Sequence, residues 1–169
     1  MNSQDISKHL IPTNVVAVYE LYRPKLSGGV LSVAHNGVGF ELNDGNRVVL
    51  HRTPENHTHL SSYDEFSAGQ NVTAKKIQSG NLSTIIERAQ TTLKMNSAYG
   101  LFNNCEHLAG FVLRGEAASD QLKSALIGSG LTYLLIQVVD KDMHPLAKAA
   151  FVAAGGALAL QIEKNSKLR

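Results

Sequence analysis

The tetrapeptide Asn43-Asp44-Gly45-Asn46 constrains this chain more than any other short stretch. Asn and Asp tolerate left-handed backbone and glycine adopts it without steric cost, so together they specify a tight reversal. Before it lies Val30 to Leu42, apolar at many alternate positions with His35 in its middle; after it comes Arg47 to Arg52, with Val48, Val49 and Leu50. Alternating, β-branched runs on both sides of such a turn read as a hairpin, and a hairpin needs a larger sheet to be stable. Val15 to Tyr19 and Asn71 to Ile77 supply two further strands, and Arg23, Pro24 and the Gly28-Gly29 pair mark a loop after the first. Gly37 and Gly39 weaken the hairpin's first strand but permit a bulge or the close approach of another group.

The pattern then changes period. From Asn81 to Asn96 the apolar residues Leu82, Ile85, Ile86, Ala89 and Leu93 recur at helical spacing, and Thr84-x-x-Glu87 reads as a capping box. Tyr63 to Phe66 reads as a short turn or helical segment, and Thr53 to Ser62 as a polar loop in which His57 and His59 are solvated. A second helix begins near Cys105, after a turn built from Gly100, Asn103 and Asn104, and continues through Leu108, Phe111 and Val112. The expected class is α+β, an antiparallel sheet packed with helices.

The last part of the chain differs. Residues 125 to 139 form one apolar run, Asp140-Lys141-Asp142 breaks it, and Leu146 to Leu160 forms a second run, rich in alanine and glycine and interrupted by Lys148. Neither run reaches the ~20 residues that span a bilayer comfortably. Two readings stay open: a pair of mutually packed helices, or a membrane-associated hairpin whose glycines at 128, 130, 155 and 156 allow close pairing in lipid. The organisation expected is an N-terminal extension over 1 to 14, one domain over 15 to 122 and an apolar helical tail over 123 to 169.

Composition removes several function classes. A net charge of +2 with 18% charged residues gives no basic surface for nucleic acid. The first twelve residues carry Asp5, Lys8 and His9 and have no apolar core, so they do not read as a signal peptide. A single cysteine excludes an internal disulfide framework. His57 and His59 have alternate spacing that would suit a metal, but no cysteine or carboxylate cluster completes a site.

That cysteine, Cys105, falls in the first turn of its helix, where unpaired N–H groups and the helix dipole favour an anion. A thiolate is the reactive form of cysteine, and a helix start is one of the few settings that lowers its pKa. On base rates alone a lone cysteine is a small buried hydrophobe. His107, two residues on, points well away from the thiol and reads as structural, and Glu106 favours the helix start by its charge.

Asn104-Cys105-Glu106-His107 followed by an apolar residue, with Tyr99-x-Leu101 before it, resembles the nucleophile motif of the lecithin–retinol acyltransferase family. That family belongs to the permuted papain-like cysteine hydrolases and acyltransferases, and its motif usually has Phe where this chain has Leu108. His35-Asn36-Gly37-Val38-Gly39 and Arg47-Val48-Val49-Leu50-His51 resemble the family's two histidine strands, in the same order before the cysteine. Sixteen residues separate His35 from His51, more than in better-known members, a difference that a longer turn across Glu41 to Asn46 would absorb. The resemblance implies a permuted papain-like fold with Cys105 as nucleophile, His35 as its base and His51 fixing the base's tautomer. It implies an acyl-enzyme formed from an acyl lipid such as a phospholipid, without metal or organic cofactor, in a cytoplasmic protein held at a membrane surface by its C-terminal segment. A thiol peptidase or amidase of the same superfamily, and a non-enzymatic module that binds membranes or a partner, are the alternatives.

Overall fold

The computed structural model describes residues 10–24, 34–78, 81–95, 104–116, 120–139 and 143–167. The residues through His9, the expected strand start at Val30, the turn at Gly100 and Asn103, and Asp140-Lys141-Asp142 lie outside these.

Five strands form one antiparallel sheet: β1 (Val15–Pro24), β2 (Ala34–Leu42), β3 (Arg47–Thr53), β4 (His57–Ser62) and β5 (Thr73–Lys76), in the order β4-β3-β2-β1-β5. The turn at 43–46 closes as expected: Gly45 takes φ +84°, and Leu42 donates to the Asn46 carbonyl at 2.8 Å. Glu41 pairs with Arg47 and Gly37 with His51, so the two strands are joined through Leu42 to Asn46. Two expectations are corrected here. β1 runs through Arg23 to Pro24, so Arg23 is a strand residue and not a loop marker. The stretch 53–62 is not a solvated loop, because His57–Ser62 pairs with β3 from Thr53↔His57 to Val48↔Ser62. Thr58, Leu60 and Ser61 are buried, and His57 enters the strand with φ +52°.

Among the described residues, three helices belong to this unit: α1 (Tyr63–Ser67), α2 (Leu82–Met95) and α3 (Cys105–Arg114). One sheet face carries Val18, Val38, Phe40, Leu50 and Leu60 against Ile85, Ile86 and Ala89 of α2 and Leu108, Ala109 and Val112 of α3. The other face carries Leu21 and Val49 against Phe66 of α1. Burial on both sides explains why β1, β2 and β3 have few exposed positions. Gly37 is required by the second face, where an added Cβ would stand 2.7 Å from Val49 Cγ1 and 2.8 Å from Phe66 Cε2. The strand is continuous there, so close approach is the reason for the glycine. α2 is capped by Asn81, whose Oδ1 accepts from Ser83 N at 3.0 Å, and not by the Thr84–Glu87 box.

α4 (Asp120–Val139) and α5 (Pro145–Lys167) form a second compact unit. Both helices extend past the apolar runs, to 20 and 23 residues, and α5 is long and apolar enough to cross a membrane by length and composition. They pair through small residues. A Cβ on Gly128 would meet the Gly155 carbonyl at 2.6 Å, and one on Gly156 would meet Ser129 Oγ at 2.4 Å. Leu126, Ile127, Leu131, Leu134, Leu135, Leu146, Phe151, Leu158 and Ile162 are each more than half exposed. The pair therefore has small and hydroxyl-bearing residues inside and large apolar ones outside.

Candidate active site

Strand pleating brings the two histidines together. His51 lies opposite Gly37, so His35 is its diagonal neighbour on the same face, within reach of a ring-to-ring contact. His35 Nε2 stands 3.1 Å from His51 Nδ1, with the rings edge to face at 5.3 Å between centroids. On the other side of β3, Ser61 is two residues beyond His59, the partner of His51, and its Oγ lies 2.9 Å from His51 Nε2. The three side chains form one hydrogen-bonded series across three strands. All are buried, His35 and His51 beneath Phe66 at 5.4 and 5.3 Å between ring centroids.

The corner from β4 into α1 builds two walls of this site at once. Ser62 Oγ accepts from Glu65 N at 3.1 Å and starts α1, whose single turn lowers Phe66 onto the histidines. Arg23 Nε donates to the Phe66 carbonyl, and its guanidinium lies 5.4 Å from the Phe66 ring. His59, expected to be solvated, packs its ring 4.2 Å from that of His51. Burial is the main force holding His51 down to a pKa of about 2, and the neighbouring His59, His35 and Arg23 add to it. His51 is thus a neutral imidazole, able to orient a partner but not to carry charge.

Cys105 begins α3, as its position before the apolar pattern requires, and is 3% exposed. The helix is capped by Asn104, whose Oδ1 accepts from Glu106 N at 2.9 Å and His107 N at 3.2 Å. The same oxygen stands 3.0 Å from His107 Nδ1, so His107 braces the cap and has the structural place its spacing predicted. Burial lowers the His107 pKa, with Glu106 opposing. Two arginines sense the sulfur. Burial lowers the pKa of Arg23 and of Arg52, and negative charge at Cys105 raises both. The attraction is mutual, so both guanidinium groups favour a thiolate. Arg23 feels charge at Cys105 and in turn acts on His51.

The structure places His51 in hydrogen-bond contact with His35, and Arg23 is coupled to both Cys105 and His51. Reading the sequence missed Ser61, Arg23, Arg52 and the covering Phe66. Alternation was the available signal for Ser61: once β4 is a strand, residues 59 and 61 fall on one face with His51. Chemically, the site offers a thiol at a helix start, a histidine held by a neutral histidine, and nearby positive charge. No protein-family profile matches the chain, and no curated protein matches it significantly.

Proposed function

We propose that the chain is a cysteine-dependent acyltransferase or phospholipase A-type hydrolase of acyl lipids, a lecithin–retinol acyltransferase-like member of the permuted papain-like group. The observation that carries the reading is the series His35–His51–Ser61, set on the sheet beside the electrostatic neighbourhood of the chain's only cysteine. In it His35 takes the proton of Cys105 while neutral His51 holds the opposite ring nitrogen. The sulfur adds to the ester carbonyl, a C–S bond forms, and collapse of the tetrahedral oxyanion breaks the ester C–O bond. The leaving alkoxide takes the proton back from His35. Water or an acceptor alcohol or amine, deprotonated by the same imidazole, then releases the acyl group from the thioester.

The outer surface of α4 and α5 supports a lipid substrate. A pair that faces its large apolar side chains outward is costly in water, at about 25 cal/mol per Å2, and stable in hydrocarbon. In this reading α5 enters the bilayer, and Lys164 and Lys167 near its end lie at the headgroups. Burial of Cys105 to 3% exposure favours a second reading, a non-catalytic module that keeps the fold and binds membranes through the same pair.

Intact mass spectrometry after mixing the protein with phospholipid vesicles separates the two. An acyl adduct that Cys105→Ser lacks is the expected result. Absence of any adduct, together with a thiol inert to iodoacetamide near neutral pH, would leave only the module.

A further inference from the structure

We infer that Ser61 is a positioning residue that fixes the proton arrangement of both histidines. The hydrogen bonds lead from the Ser62 carbonyl back to His35. A carbonyl oxygen only accepts, so the 3.1 Å bond from Ser61 Oγ to the Ser62 carbonyl uses the hydroxyl proton. Ser61 Oγ therefore meets His51 Nε2, 2.9 Å away, as an acceptor, and the proton of neutral His51 is on Nε2. His51 Nδ1 is then a lone pair. At 3.1 Å it accepts from His35 Nε2, which must carry a hydrogen. With its hydrogen on Nε2, a neutral His35 ring carries its basic lone pair on Nδ1.

The reverse proton arrangement would give His35 a different role. With His51 protonated on Nδ1, His35 Nε2 becomes the acceptor and the His35 proton moves to Nδ1. That nitrogen then has no lone pair with which to take a proton. The serine hydroxyl is fully buried at 1% exposure, so no solvent competes for its bonds. His59 stands against the same His51 ring, but its Nδ1 donates to the His57 carbonyl at 3.2 Å and is committed there. The backbone carbonyl of Ser62 thus sets the direction of the whole series, with Ser61 as the part that a mutation can remove.

The inference rests on the proposed function only for its catalytic meaning, because the tautomer itself is a property of the resting protein. Long-range proton–nitrogen NMR on the full chain with isotope-labelled histidine reads it directly. The expected wild-type pattern is His51 protonated on Nε2 and bare on Nδ1 near neutral pH. In Ser61→Ala the acceptor is gone, and the His51 proton moves to Nδ1. Ser61→Thr keeps the hydroxyl and retains the wild-type pattern. Iodoacetamide labelling of Cys105 slows about tenfold or more in Ser61→Ala and recovers in Ser61→Thr. Wild-type His51 protonated on Nδ1, or a pattern unchanged in Ser61→Ala, overturns the inference. If Ser61→Ala does not fold, the wild-type spectrum alone decides it. A predicted spectrum combined with no acyl adduct sinks the enzyme reading and leaves the role of Ser61 standing.

Discussion

His51 shows what burial does to a single ionisable group. Unfolded, it titrates near 6.5, and in the fold it does so only at about 2, chiefly because its ring is desolvated. Between these values the unfolded chain binds one more proton than the native one. The stability tied to a neutral His51 is thus complete above pH 6.5 and declines as pH falls toward 2, by up to about 1.4 kcal/mol per pH unit. Urea unfolding of wild type and of His51→Asn over the upper part of that window should give a steeper pH dependence for wild type. Equal slopes would mean that His51 is charged in the folded protein. Gly37 is the other residue with little freedom. Gly37→Ala drives a methyl against Val49 and Phe66 and is expected to cost about 1–3 kcal/mol by overpacking, read as a lower denaturant midpoint. A glycine on a strand of alternating residues already announced such an approach in the sequence. Its partner Phe66 did not, because that contact depends on how a distant corner folds back.

Among the elements, α3 was legible and β4 was not, for a physical reason. α3 has an Asn cap, an apolar face at helical spacing and Gly115 in the left-handed region at its end, all local signals. β4, with the sequence His-Thr-His-Leu-Ser-Ser, carries little apolar periodicity. It is a strand because β3 offers a ladder and because buried polar groups find partners there, as Thr58 Oγ1 does with Arg52 Nε at 2.8 Å. Two thirds of the histidine series were visible as residues, while its terminus, Ser61, depended on recognising that strand. The cap of α3 gives a prediction with opposing arms. Asn104→Ala removes an acceptor of two N–H groups and should destabilise the protein by about 1 kcal/mol, seen in thermal unfolding. Asn104→Asp keeps the cap, so stability holds, but places negative charge beside the sulfur. Iodoacetamide labelling near neutral pH should then slow. Faster labelling in Asn104→Asp would show that the thiol is not activated as an anion.

For the molecule as a whole, the two compact units make separate demands on solvent. The sheet unit closes its own core on both faces, with Phe40, Leu50, Ile86 and Val112 fully buried. A chain ending at Ala118, the boundary of that unit, is expected to fold, to elute as a monomer and to lose flotation with phospholipid vesicles. The α4–α5 pair fused to an unrelated soluble protein should confer flotation. Aggregation of the shortened chain would mean instead that the sheet unit needs the pair as a cover. The spacing of the histidine series also has a consequence for assembly. His35, His51 and Ser61 come from successive strands of one meander, and each hydrogen bond in the series closes a loop of 16 residues or fewer. Cys105, by contrast, lies beyond α2 in the chain, 44 residues or more from each of them. Short loops form sooner than long ones, because their closure entropy is smaller and appears earlier along the folding coordinate. The histidine series is therefore a local product of the sheet, and in the proposed function it is ready before the sulfur arrives. Under the proposed function, the thiol becomes reactive only when the last long-range contacts have formed, so a partly folded chain would carry no armed nucleophile.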